Sequence, residues 1–264
     1  MPEIVEILAP SGTGKTTVYK GLQKKWTPDE PWAVYHDFRY NRKVMYSSPK
    51  DYYYVLQRKF DDLRSSFFSS EIQYQKKSVG KKPNEKTFYE RHPMFCDTAM
   101  ELILEHNASG FNKKDKRFLN TFFFFETIEH LQAVLNHTDD RRLCIMDEGL
   151  LSRLMHLNSP TFSNEQLNQY LENMPFPFAI IYLECDAGYI LQRILSREKT
   201  ATVHSSLSKD DILSSTRDTQ QLMEKTLQLA TERGSRVIRV NAERDSDKLI
   251  KNVFEIIRKM EFNP

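Results

Sequence analysis

Cysteine, glycine, tryptophan and net charge are all scarce in this chain. Its 264 residues hold three cysteines, an odd number, and Cys96, Cys144 and Cys185 lack metal-type spacing. A disulfide scaffold and a cysteine-ligated metal are thereby excluded. Cys144 and Cys185 lie inside apolar runs and read as buried, reduced thiols of a cytoplasmic protein. A formal net charge of +2 removes the electrostatic case for broad binding to nucleic acid or to a membrane surface. No apolar run approaches the ~20 residues that a membrane-crossing helix needs. Ile4 to Leu8 is too short for the apolar core of an export signal, and Glu6 interrupts it. No internal repeat is visible.

What is present is the composition of a globular chain, 39% hydrophobic and 28% charged. The length suffices to bury a core without disulfide or metal staples, and the expected organisation is a single domain over 1–264. Short apolar runs read as buried strands at Glu3–Leu8, Trp32–His36, Arg142–Met146, Phe178–Glu184 and Arg236–Val240. Helical patterns fall between and after them, at Thr16–Trp26, Gln166–Met174, Gly188–Arg197, Lys209–Arg233 and Ser246–Met260. Apolar strands alternating with helices predict an α/β chain with a parallel sheet covered on both faces.

Residues 41–141 do not follow that alternation. Asp51–Phe68, Asp97–His106 and Lys116–Leu135 have helical spacing, and Gln75–Lys86 reads as an exposed loop. The stretch is expected to be a helical insertion. Phe122 to Phe125 are four aromatics in succession, more than one narrow helical stripe can bury. That helix is therefore expected to be buried on more than one face or to line a pocket.

Two of the chain's eight glycines sit in Ala9-Pro10-Ser11-Gly12-Thr13-Gly14-Lys15-Thr16. With Ala9 in place of the first glycine, this is the phosphate-binding loop pattern, lying between a predicted strand and a predicted helix. Gly12 and Gly14 allow left-handed backbone angles, so that amide groups converge on phosphate oxygens. Ser11, Gly12, Thr13, Gly14, Lys15, Thr16 and Thr17 are the expected ATP contacts. Lys15 would reach the β- and γ-phosphates, and the Thr16 hydroxyl would ligate Mg²⁺.

Asp147 closes an apolar strand, the Walker B arrangement for a second Mg²⁺ ligand. Glu148 beside it leaves two readings open: a carboxylate that activates water in an ATPase, or one that orients an acceptor in a kinase. Asp37 is the other candidate base, at the end of the second strand where open α/β sheets bind ligands. Arg39 and Arg42 could hold an anionic acceptor. Arg193 and Arg197 are four apart on one helical face and could clamp phosphates during transfer.

In this order, Ala9–Thr17, Asp37, Asp147 and Arg193-Ile-Leu-Ser-Arg197 resemble the P-loop small-molecule kinases of the thymidylate kinase and deoxynucleoside kinase group. The resemblance covers both ends of the chain and not 41–141. Asp147-Glu148 stands where that group usually has Asp-Arg. The resemblance implies a three-layer P-loop NTPase fold, with a mainly parallel five-stranded sheet and the helical insertion. It implies a lid over 198–209, and Asn241 to Asp245 is similar to the group's base-contacting loop.

The expected activity is transfer of the γ-phosphate of ATP to a small-molecule acceptor, with Lys15, Asp37, Glu148, Arg193 and Arg197 in catalytic roles. Arg39, Arg42 and Phe124 are expected on the acceptor, and Thr16 and Asp147 on Mg²⁺. The alternatives are an ATPase or nucleotide-dependent switch working through a protein partner, and a binding module without chemistry. Neither nucleic acid nor membrane is an expected partner; the oligomeric state stays open, a homodimer included.

Overall fold

The computed structural model describes residues 2–27, 29–35, 38, 87–105, 117–137, 140–157, 164–196 and 208–260. Strand β1 (Glu3–Leu8) lies at the centre of the sheet. It pairs with β3 (Leu143–Met146) on one side and β4 (Ala179–Glu184) on the other. Strand β2 (Trp32–Val34) adds to β3, and β5 (Arg236–Asn241) adds to β4. The order is β2-β3-β1-β4-β5, and every pairing is parallel. The continuous apolar runs have their cause here, since parallel strands with both faces covered need apolar residues on both.

One face is covered by α1 (Lys15–Lys25), α7 (Ala187–Leu195) and α9 (Ser246–Arg258). Val18, Leu22, Ile190, Ile194, Val253 and Ile257 pack there against Val5 and Ile7 of the central strand. The other face is covered by α3 (Pro93–Glu105), α4 (Arg117–Leu135), α5 (Leu150–Leu157), α6 (Asn164–Asn173) and α8 (Lys209–Glu232). Phe95, Phe124, Leu151, Tyr170 and Met223 pack there with Leu8, Met146 and Ile180. The result is the expected three-layer α/β arrangement. A four-residue helix, α2 (Phe88–Arg91), precedes α3 and starts with a capping box between Thr87 and Glu90, which satisfies two otherwise orphaned amides.

Most helix boundaries fall within a few residues of the sequence reading because their caps are local. Asp186 accepts from the amides of Gly188 and Tyr189 at the start of α7. Ser208 and Asp211 form a capping box at the start of α8, so Ser208 and Lys209 belong to that helix; 197–207 lies outside the described residues. So do the expected helix at 51–68 and the expected loop at 75–86. The burial of α4 follows one stripe through Phe124, Thr127, Leu131, Val134 and Leu135. Phe122 and Phe125 are exposed, so this helix does not bury a second aromatic face.

Helices α1 and α9 touch closely. A Cβ at Gly21 would stand 2.5 Å from Ile250 Cδ1 and 2.9 Å from Ile250 Cγ2, so glycine leaves room for the Ile250 side chain against the α1 backbone. The far end of α1 is tied down as well. Trp26 Nε1 donates to the Trp32 carbonyl at 2.7 Å, and Trp32 Nε1 donates to Glu30 at 3.2 Å. Arg258 of α9 reaches the same Glu30 carboxylate at 3.3 Å. None of the three cysteines is in a disulfide, and all three are buried. Among the described residues, no helix is long and apolar enough to cross a membrane.

Gly21→Ala should destabilise the protein by about 1–3 kcal/mol, because the whole Ile250 side chain must move. Urea unfolding checks this, and Ile250→Val in the same background should recover part of the loss.

Candidate functional site

The carboxyl end of β1 runs directly into the glycine loop. Gly12 has φ 99° and Gly14 has φ 109°, in the region where a side chain is strained. Space imposes the same choice. A Cβ at Gly12 would meet Ile190 Cγ2 at 2.9 Å, and one at Gly14 would meet an Arg193 guanidinium nitrogen at 3.1 Å. Gly14 is the N-cap of α1 and supplies no side-chain hydrogen bond. The first amides of that helix thus lack a side-chain acceptor, and the positive end of the helix faces the loop. Ser11, Thr16 and Thr17 are exposed at this mouth, whereas Thr13 is buried and its Oγ1 has no hydrogen-bond partner. An orphaned hydroxyl, bared amides and a lysine fit an anionic ligand such as a nucleotide phosphate.

Lys15 extends to the end of β3. Its Nζ donates to the Asp147 carbonyl at 2.5 Å and to Ser152 Oγ at 3.3 Å. Burial lowers the Lys15 pKa, against the opposing pull of Glu148, Asp147 and Glu6. Burial likewise raises the Asp147 carboxyl, with Lys15 working against it. For Glu148 burial also pushes upward, but Lys15, Arg153 and His156 together outweigh it and its pKa ends below the ordinary value. Among the described residues no three His, Cys, Asp or Glu side chains group as a metal cage. The available donors, the Thr16 hydroxyl and the Asp147 carboxylate, fit Mg²⁺, which takes few protein ligands and completes its shell with phosphate and water.

Arg193 arrives from α7. Its Nη1 donates to the Thr13 carbonyl at 3.0 Å, so one of the two expected arginines stands at the loop. Arg197 lies outside the described residues, as do Asp37, Arg39 and Arg42. The loop after β5 is stitched to the start of α7: Glu243 accepts from the Asp186 amide at 2.7 Å, and Ala242 donates to the Glu184 carbonyl at 2.8 Å.

The acceptor side differs from its sequence reading in one respect. Phe124 is 1% exposed, with its ring 6.0 Å from that of Phe95, so it is first a core residue. Its neighbour Phe123 lies under the Arg153 guanidinium, 5.0 Å from ring centroid to Cζ. Both aromatics border a small cleft with Ile103, Asn120, Arg153 and His156. Asn120 Nδ2 is buried there without a hydrogen-bond partner.

Three polar residues of the site carried no motif. Arg153, one and a half helical turns after Glu148, pairs with that carboxylate at 2.7 Å, and its Nε donates to Thr127 at 2.7 Å. Ser152 completes the Lys15 contacts. Glu6 projects from β1 toward the start of α5 and accepts from the amides of Gly149, Leu151 and Ser152 at 3.1, 3.2 and 2.8 Å. Burial raises its pKa, and these bonds and Lys15 oppose that rise. The available signal was Glu6 itself, a lone carboxylate within an apolar strand.

Neither a protein-family profile nor a curated protein sequence matches the chain. Solved structures do. The chain is similar in fold to deoxyadenosine kinase from M. mycoides with dCMP and a flexible dCDP bound, at a TM-score of 0.50 and 13% identity, covering 97% of this chain and 100% of that one. The same enzyme with dCTP aligns at 13% identity, a TM-score of 0.47 and the same coverage. At this identity the likeness concerns the fold alone. It agrees with the kinase resemblance carried by Ala9–Thr17, Asp147 and Arg193.

A Cβ at Gly149 would stand 2.3 Å from Glu6 Oε2. Gly149→Ala should therefore displace a buried carboxylate from its amides and cost about 1–3 kcal/mol, read as a lowered midpoint in chemical denaturation.

Proposed function

We propose that this chain is an ATP-dependent phosphotransferase that moves the γ-phosphate of ATP to a hydroxyl of a small molecule, a nucleoside or nucleotide first among the candidates. The observation that carries the reading is the meeting of two distant segments at one glycine loop: Arg193 donates to the Thr13 carbonyl, and Lys15, the loop's own lysine, reaches the Asp147 carbonyl at the end of β3. The fold likeness to a deoxyadenosine kinase whose described complex contains dCMP as a product supports a nucleoside-type acceptor.

In this reading Ser11 to Thr17 hold the ATP phosphates. Lys15 neutralises charge on the β- and γ-oxygens, and Arg193, with Arg197, does so on the transferring group. Thr16 and Asp147 would hold Mg²⁺, whose positive charge would offset that of the phosphate oxygens. The acceptor oxygen forms its bond to Pγ as the bridging Pγ–O bond breaks, leaving ADP. The acceptor proton passes to a carboxylate, Asp37 or Glu148. The lowered pKa of Glu148 and its ion pair with Arg153 suit it better to orienting the acceptor hydroxyl than to drawing its proton early. The same property argues against an ATPase in which Glu148 activates water. Arg39, Arg42 and the cleft beside Phe123 and Phe124 would form the acceptor side, 41–141 would be the acceptor-side insertion, and the expected lid at 198–209 would end before Ser208, where α8 begins.

A thermal-shift screen of nucleosides and nucleotides with Mg²⁺ and a non-hydrolysable ATP analogue should find acceptors that raise the melting temperature. With such an acceptor and ATP, chromatography should detect its phosphorylated product, and Lys15→Met should lower that rate by roughly 100-fold or more. An undiminished rate in a folded Lys15→Met protein would overturn the mechanism, and rapid ATP turnover with no acceptor would favour the ATPase.

A further inference from the structure

Glu6 has no task in the transfer reading, yet it is built into the site. It stands on β1 three residues before Ala9, and its side chain is only 2% exposed. A carboxylate in that position costs several kcal/mol unless hydrogen bonds replace its water, and an apolar residue would suit a central strand better. Compensation comes from one place. Oε1 accepts from the amides of Gly149 and Ser152, and Oε2 from that of Leu151. These amides open α5, whose positive end favours the negative charge. Gly149 carries no side chain where a Cβ would stand 2.3 Å from Oε2. The turn thus held presents the Asp147 carbonyl and the Ser152 hydroxyl, both of which receive Lys15 Nζ.

We propose that Glu6 is a positioning residue, which holds the turn from Asp147 to Ser152 against β1 and thereby sets where the Lys15 ammonium and the Asp147 carboxylate stand over the phosphate loop. The proposal rests on the phosphotransfer reading. Glu6 itself touches neither phosphate nor acceptor; it acts through the turn. A glutamine in its place keeps the shape but has one acceptor oxygen for three amides, so that its own NH₂ must face an N–H.

Calorimetric titration with Mg·AMP-PNP and with Mg·ADP tests this without an acceptor, because Lys15 would meet both β- and γ-oxygens of AMP-PNP but only the β-oxygens of ADP, so that its displacement costs AMP-PNP more. In Glu6→Gln the preference for Mg·AMP-PNP over Mg·ADP should fall roughly tenfold, the worth of one charge-assisted hydrogen bond. Lys15→Ala should show the same loss, and adding Glu6→Gln to Lys15→Ala should lower the preference no further. A purely structural role would weaken both nucleotides equally and leave the ratio unchanged, which overturns the proposal; so does a further loss in the double variant. If Lys15→Ala itself leaves binding of both nucleotides unchanged, the phosphotransfer reading falls and this inference falls with it. Should Glu6→Gln not fold, Ser152→Ala keeps the backbone amide bonds to Glu6 but removes the hydroxyl that serves both Glu6 and Lys15, and it should lower the same ratio; an unchanged ratio there counts against the proposal.

Discussion

A buried carboxylate that hydrogen-bonds three consecutive-turn amides couples two strands more firmly than their backbone ladder alone. Here that carboxylate belongs to β1, the strand flanked on both sides, and the amides belong to the turn that follows β3. Because Glu6 lies on the β1 face that looks toward α5, satisfying it requires that helix to begin where it does. The start of α5 then fixes which way Ser152 and Arg153 project. Ser152 meets Lys15 on one side of the turn, and Arg153 meets Glu148, Thr127 and the Phe123 ring on the other. Both flanks of the turn are thus organised from a single buried carboxyl group.

The site is electrically mixed. Lys15 sits among Glu6, Asp147 and Glu148, and Arg153 is drawn to Glu148 from below. Lys15 feels the attraction of all three carboxyl groups and Arg153 pairs with Glu148, in surroundings dry enough to lower the pKa of Lys15 and raise that of Asp147. In the proposed transfer, charges held in this way would need little rearrangement as negative charge shifts, which is how preorganised sites lower a barrier.

The parts of this arrangement that are legible in the sequence are those whose causes are local. Gly12 and Gly14 are readable because positive φ and tight contact demand glycine within one short loop. The strands are readable because parallel pairing leaves uninterrupted apolar runs, and α7, α8 and α9 because Asp186, Ser208 and Asp245 cap them from the adjoining residue. Helix α5 escaped notice because its amides are satisfied from another strand, 143 or more residues away. Arg153 escaped for a related reason: nothing in the spacing from Glu148 announces that the two will pair. The placement of Phe124 on the acceptor side turned on helical phase, since a shift of one residue separates a core ring from the one beneath Arg153.

The tie between α1 and β2 has an optical meaning. The chain has two tryptophans, and both belong to that tie, Trp26 just beyond the last turn of α1 and Trp32 at the first residue of β2. Trp32 is fully buried against Phe254 of α9, while Trp26 donates to its backbone. Tryptophan emission from the protein therefore originates at a single spot, beyond the last turn of the helix that begins at the glycine loop. The molecule carries an internal fluorophore at the far end of the helix that follows its glycine loop, and no label need be attached to watch that region.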